Sequence, residues 1–278
     1  MKQVTDIKQI QSVVMQVFKL FDEFCRENGI EYFAAYGTLI GAVREHGMIP
    51  WDDDIDVWIK REEYQKLVKS FPEWGKKRGV YLLCSETNDK YNRVYSKICM
   101  DHTLVDTLDR CNDYEEGIFI DVFILEGTPE KPVTCFLHEK RLQFLRNIVT
   151  LAAYGAHRLP GASKKAKLYG LLSKFVSFVD QNKVSRKTEQ IMAKYPCKTS
   201  DTLLVPRGQK KGRFFKMPAE WFSKASFVKY DDVQISIPNG YDGALRMIFG
   251  DYMTPPPEDK RQPAHKMDYY VDEEYINI

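Results

Sequence analysis

The sequence predicts an α+β protein: a mixed β-sheet core flanked by helices, with a helical insertion in the second half. Three observations carry this reading. Short apolar and aromatic runs, typical of buried strands, recur through the first 125 residues. Segments with helical apolar spacing lie between them. From about 132 to 195 only the helical spacing remains, before strand-like alternation returns near 226.

The elements follow in order. Ile7, Ile10, Val14, Val17, Phe18, Phe21, Phe24 and Cys25 recur at helical spacing, so residues 5–28 read as an amphipathic helix that Asn28-Gly29 ends. Residues 32–36 form a short apolar run expected as a buried strand. Gly37-Thr38 begins a turn, and 39–45 reads as a short helix closed by Gly47. Residues 54–59 read as a strand and 62–70 as a helix. Residues 80–83 and 93–99 are candidate strands, and 118–125 (IFIDVFIL) is a stronger one. Phe136, Leu137, Leu142, Leu145, Ile148, Val149 and Ala152 fit one helix. Leu168, Leu171, Leu172, Phe175 and Val179 fit a second, and a third precedes Pro196. Residues 226–237 alternate like a strand, 241–249 fits a final helix, and the tail from Asp251 is polar and proline-rich. The expected organisation is a catalytic core over 1–130, a helical subdomain over 131–200, and a C-terminal return over 201–278.

Bulk properties narrow the function. The chain has 278 residues and a net charge of +2, from 41 basic and 39 acidic side chains. That balance lacks the basic excess of a nucleic-acid binder. Basic clusters at Lys164, Lys165 and Lys167, and at Lys210, Lys211 and Arg213, read as solvated surface. Six scattered cysteines without C-x-x-C spacing argue against structural zinc and against a disulfide framework. The N-terminus lacks the apolar run of a signal peptide, and no stretch approaches the ~20 apolar residues of a membrane span. The expectation is a cytoplasmic protein, at most peripheral at the inner face of a membrane.

The functional information concentrates between Tyr36 and Ile59, YGTLIGAVREHGMIPWDDDIDVWI. Asp52, Asp53, Asp54 and Asp56 crowd together between apolar neighbours. Like charges about 4 Å apart repel by roughly 4 kcal/mol at an effective dielectric near 20, so a fold keeps such a cluster where water solvates it or a cation neutralises it. On a strand, Asp54 and Asp56 would share one face while Ile55 and Val57 point into a core. Asp121 sits alone in an apolar strand, where a carboxylate is costly unless paired or metal-bound. It is the natural third ligand; the alternatives are a cap at a strand end or an arginine partner. Oxygen donors of this kind suit Mg²⁺ or Mn²⁺. Gly37-Thr38, after a strand and before a helix, suits a phosphate or, taken alone, a simple helix N-cap. The residues alone thus point to a divalent metal site for phosphoryl-transfer chemistry.

The order strand, Gly-Thr, helix, Asp-hydrophobic-Asp resembles the nucleotidyltransferase superfamily. The longer match is closer still. AYGTLIGAVREHGMIPWDDDIDVWI is similar to the signature of the LicD family, which includes the fukutin-related proteins. Ile120-Asp121-Val122-Phe123 resembles that family's Ile-Asp-hydrophobic-Phe strand. Phe249–Pro257, followed by Lys260, Arg261 and His265, resembles its C-terminal segment. Thr38 replaces the wider superfamily's Gly or Ser, and its spacing to Asp54 is long; LicD-like proteins share both features.

The resemblance implies a transferase that moves an alcohol phosphate, phosphocholine first among them, from a CDP-activated donor to a sugar hydroxyl of a cell-surface glycan precursor, releasing CMP. Cell-surface acceptors of this kind include teichoic acid and lipopolysaccharide precursors, some of them lipid-linked. The expected ligands are Asp54, Asp56 and Asp121 for Mg²⁺ or Mn²⁺. Gly37 and Thr38 would hold a donor phosphate. Arg44 and Lys97 are candidates to pair with phosphate oxygens; Arg44 could instead bridge to Asp52 and Asp53. Asp53, Asp52 or a ligand carboxylate would accept the hydroxyl proton. Trp51 and Trp58 are candidates for a choline cage. Lys260, Arg261 and His265 would contact nucleotide or acceptor, unless the tail is a structural strap. Two other readings stay open. One is a nucleotidyltransferase that hands NMP from NTP to a small-molecule hydroxyl. The other is a non-catalytic glycan- or nucleotide-binding protein.

Overall fold

The computed structural model describes residues 1–107, 114–156, 174, 178–210, 213–263, 265 and 267–275, with backbone alone at 107, 150, 152–156, 206–210 and 213. The expected helix around Leu168–Phe175, the clusters at Lys164–Lys167 and Lys210–Arg213, and Cys111 therefore lie outside the described residues or side chains. Strand β1 (Lys2–Val4) leads into α1 (Ile7–Glu27), whose N-terminus is capped by the Asp6 carboxylate accepting from the Lys8 amide. The buried stripe of α1 runs from Ile10 through Val14, Phe18 and Phe21 to Cys25 and packs on the main sheet.

The main sheet is mixed. Strands β2 (Tyr32–Ala34), β3 (Asp56–Lys60), β4 (Val80–Leu83), β5 (Ser96–Met100) and β7 (Phe119–Gly127) stand in the order β2-β3-β7-β5-β4. The β3/β7 pair is parallel and the others are antiparallel. Every residue of β7 is buried, so both of its faces are covered. Between β2 and β3 lies α2 (Tyr36–Ile40), which widens into a π turn over Gly41–Glu45. A Cβ at Gly41 would stand 2.5 Å from the Gly47 carbonyl oxygen, so only glycine permits this close return.

Helix α3 (Arg61–Lys76) is longer than the sequence pattern and carries Pro72 inside it. Strand β6 (Thr103–Thr107) belongs to a separate three-stranded sheet with β1 and the C-terminal β12 (Met267–Val271). The second half contributes α4 (Pro132–Ala156) and α5 (Gln181–Met192), then β8 (Thr202–Lys210) and β9 (Arg213–Pro218). Strand β8 pairs with the end of β7 and so extends the main sheet. Residues 226–237 are a hairpin, β10 (Ala225–Tyr230) and β11 (Val233–Pro238), turning at Asp231 with φ +52°. Helix α6 (Tyr241–Phe249) follows. Cys25, Cys84, Cys99, Cys135 and Cys197 are free buried thiols.

Candidate active site

One expectation needs correction at the centre of the site. Asp54 is not on a strand: β3 begins at Asp56, and residues 52–55 are irregular. The segment's polar groups are satisfied elsewhere. Buried Gln11 of α1 donates from Nε2 to the Ile49 carbonyl (3.0 Å) and the Asp52 carbonyl (2.8 Å). Asp53 accepts from the Tyr269 hydroxyl (2.8 Å) and lies 3.2 Å from His265 Nδ1. The turn after Pro50, pinned by α1 and β12, brings the carboxylates together without a two-residue strand repeat.

Three carboxylates nonetheless meet. The register sets Asp56 opposite Asp121 on the parallel β3/β7 pair, and the Asp121 amide donates to the Ile55 carbonyl (2.9 Å). Oxygens of Asp54, Asp56 and Asp121 all lie within 4.8 Å of one another, and all three residues are buried. A second group on the same terms comprises Asp53, Asp54 and His265, whose Nδ1 is 3.6 Å from Asp54 Oδ2. Buried anionic oxygens at this density are a donor set for a hard divalent cation. Burial, reinforced by Asp54 and Asp53, pushes the Asp52 carboxyl up to about 7, while His265 acts in the opposite sense.

Lys97 reaches the same place. The β5/β7 register sets it opposite Asp121, with Nζ 3.2 Å from Asp121 Oδ1 and 3.8 Å from Glu116 Oε2. Lysine, aspartate and glutamate are all 2–3% exposed. Glu116 has no hydrogen-bond donor on either carboxylate oxygen among the described residues. Thus Lys97 balances part of the acidic cluster.

The remaining predicted residues divide. Gly37 opens α2 beside Asp52: a Cβ there would stand 2.6 Å from Asp52 Oδ2. The Thr38 hydroxyl accepts the Asp56 amide (2.8 Å), so it fixes the start of β3. Arg44 meets neither Asp52 nor Asp53. Its Nε donates to Glu45 (2.6 Å) and its Nη1 to the Tyr252 carbonyl (2.7 Å), which fastens the C-terminal segment to the π turn. Trp51 is half-buried with the Arg261 guanidinium 5.4 Å above its ring. Arg261 also donates to the Pro256 carbonyl (2.9 Å). Lys260 is exposed in a 3-10 turn, Glu258–Lys260. Trp58 is fully buried, in edge contact with Tyr36 and Phe222, so its ring is core.

The sequence reading missed Gln11, Glu116 and Tyr269. Gln11 hides within an apolar stripe. Glu116 stands in a polar loop with no pattern. Tyr269 had a usable signal, the β-branched and aromatic run MDYYV within a tail read as irregular.

Comparison with known proteins bears on this geometry. The family model described as the LicD/FKTN/FKRP nucleotidyltransferase domain matches residues 29–147. The chain is 29% identical to the lipopolysaccharide cholinephosphotransferase LicD of Haemophilus influenzae, over 98% of this chain and 100% of the relative. An uncharacterized protein of Rickettsia prowazekii is 30% identical over 41% of this chain and 40% of its own length. Another, from Rickettsia typhi, is 38% identical over 26% of this chain and 25% of its own. The matched domain contains the segment that builds the carboxylate cluster, and the relationship to one relative runs the full length. Residues 29–147 thus match a LicD-type nucleotidyltransferase domain on a mixed α+β fold, and the whole chain is similar to a LicD cholinephosphotransferase.

Proposed function

We propose that this protein transfers an alcohol phosphate, phosphocholine in the first instance, from a CDP-activated donor to a hydroxyl of a cell-surface glycan precursor. Similarity over its length to a LicD cholinephosphotransferase supports a phosphotransferase enzyme. The observation that carries the finer reading is the convergence of the Asp54, Asp56 and Asp121 carboxylates. These buried oxygens, partly balanced by Lys97, fit Mg²⁺ or Mn²⁺. When bound, such an ion supplies charge neutralisation on the donor diphosphate.

The chain's own residues then have separable tasks. Gly37 leaves room for Asp52 and gives a diphosphate access to the start of α2. The acceptor oxygen bonds to the phosphorus of the alcohol phosphate, and the bond from that phosphorus to the CMP oxygen breaks. Asp53 takes the hydroxyl proton. Its carboxylate is oriented by Tyr269 on one oxygen and His265 on the other. The tail thereby supplies part of the site, through His265 and through the Arg261–Trp51 contact. A lipid-linked acceptor would bring the protein to the inner face of a membrane. No helix among the described residues is long and apolar enough to cross one.

Calorimetry with Mg²⁺ against CMP, CDP, CDP-choline, CDP-ethanolamine, CDP-glycerol, CDP-ribitol and ATP tests the reading. Metal-dependent binding of CDP-choline well above CMP supports it. Preference for ATP, with no response to any CDP-alcohol, contradicts it in favour of NMP transfer.

A further inference from the structure

Helix α4 is apolar on two sides. One side is core: Cys135, His138 and Leu142 are buried, and Leu142 clusters with Ile191 and Met192 of α5. The other side is open. Val133, Phe136, Leu137 and Phe144 are 72%, 52%, 61% and 64% exposed. Of the ten large apolar side chains exposed among the described residues, these four fall within twelve positions of one helix. Single exposed hydrophobes need no explanation, but a patch of them marks an interaction surface.

The same segment is basic. Between Lys131 and Val149 the cationic side chains are Lys131, Lys140, Arg141 and Arg146, all exposed. The one acid, Glu139, is half-buried and paired with Lys216 (2.6 Å). Lys140 lies at the centre of the open stripe. Phe136, Leu137 and Phe144 are its i−4, i−3 and i+4 neighbours, and its ammonium stands 5.4 Å from the centroid of the Phe136 ring. At the core of a protein–protein patch lysine is disfavoured. At a bilayer its stem lies among the apolar side chains while the ammonium reaches lipid phosphates. Basic side chains around an apolar stripe thus complement an anionic lipid surface. The charges at Glu139, Lys140, Arg141 and Arg146 fall mid-helix, and no helix among the described residues is long and apolar enough to cross a membrane.

We propose that α4 is an interfacial helix: it lays Val133, Phe136, Leu137 and Phe144 into the surface of a bilayer rich in anionic lipid, with Lys140 and Arg141 at the headgroup phosphates. The same helix passes the carboxylates. Val149 faces Phe123 across a cavity of about 190 Å³, and Phe123 is two residues beyond Asp121 on β7, hence about 7 Å along it. A bilayer on the outer side of α4 would begin one helix diameter, about 10 Å, beyond that cavity. The docking stands apart from the chemistry; only its use, bringing a lipid-linked acceptor to the site, rests on the function proposed above.

Co-sedimentation of the full chain with lipid vesicles, without nucleotide or divalent cation, tests this. The probes are vesicles of phosphatidylglycerol mixed with phosphatidylcholine, and vesicles of phosphatidylcholine alone. The expected result is binding to the anionic vesicles that salt weakens, and little binding to the neutral ones. Lys140→Gln/Arg141→Gln should weaken it about 25-fold, at about fivefold per base. Phe136→Ser/Phe144→Ser should weaken it about 100-fold, at about tenfold per ring. Both pairs are exposed, so each variant should keep the native circular dichroism spectrum. The inference is overturned if the parent ignores anionic vesicles, or if either folded variant binds them like the parent. It is also overturned if sedimentation equilibrium shows a dimer that Phe136→Ser/Phe144→Ser dissolves, since the face would then join two copies of the chain. Because no donor is present, a negative result bears on α4 alone, whereas failure to bind any CDP-alcohol bears on the transferase reading alone.

Discussion

Replacing Lys97 by methionine removes the ammonium that the structure sets against Asp121. The ammonium stands 3.2 Å from Asp121 Oδ1 and 3.8 Å from Glu116 Oε2, with all three side chains nearly inaccessible. At an effective dielectric near 20 those separations correspond to about 5 and about 4 kcal/mol of attraction. Desolvation of the ammonium opposes them. The net cost of leaving buried charges uncompensated is about 3–5 kcal/mol. For a chain of this size that lowers Tm by roughly 10 °C. The assay is thermal unfolding in EDTA, followed by titration with Mg²⁺. A cation held by Asp54, Asp56 and Asp121 restores positive charge where the ammonium was lost. Lys97→Met should therefore gain more stability from Mg²⁺ than the parent does. The double variant Lys97→Met/Asp121→Asn should regain part of the loss without metal. If Lys97→Met unfolds within about 2 °C of the parent in EDTA, the charge-balance account of this cluster is wrong.

Other expected outcomes follow from the same geometry. Asp54→Asn should abolish turnover and weaken divalent-cation binding while circular dichroism stays native; wild-type activity would remove Asp54 from the site. Tyr269→Phe deletes the 2.8 Å hydrogen bond to buried Asp53 and should cost about 1–2 kcal/mol in denaturant unfolding, together with a larger loss of activity. His138 is buried against Tyr195, and burial, then Lys194, lowers its pKa from the ordinary 6.5. The unfolded chain then binds the proton more tightly, so stability present above pH 6.5 declines as pH falls through the lowered folded value. The Tm of His138→Phe should depend less on pH between about 7.5 and 5.5 than that of the parent; equal slopes would exclude His138 as the origin.

What the sequence revealed depended on whether the signal was local. The helix Ile7–Glu27 and the strand Phe119–Gly127 declare themselves through uninterrupted periodicity or apolarity. The acidic cluster was conspicuous because four like charges between tryptophans and isoleucines have no other easy explanation. The convergence of Asp54, Asp56 and Asp121 was anticipated for a partly mistaken reason, since Asp54 precedes β3 instead of lying on it. Its position depends on Gln11, Tyr269 and His265, which arrive from both ends of the chain. No window of sequence contains that information. The same holds for β1 and β12, which pair Lys2 with Val271. Each is too short to stand out until its partner is known. Strand β8 is hidden by Pro206 and by the irregular register between Val205 and Gln209. Glu116 has no periodic neighbours, and its meaning appears only when β5 sets Lys97 between it and Asp121.

Phosphoryl transfer at the Asp54–Asp56–Asp121 carboxylates is open to direct measurement. The most direct test incubates the protein with CDP-choline and a lipopolysaccharide precursor, with Mg²⁺ or with EDTA, and identifies the nucleotide released and the glycan formed. A transferase of this kind yields CMP and a phosphocholine-bearing glycan in equal amounts, only with the divalent cation, and neither product from Asp54→Asn. Product formation that persists in EDTA or in Asp54→Asn would contradict it, as would release of pyrophosphate from CTP in place of CMP from CDP-choline.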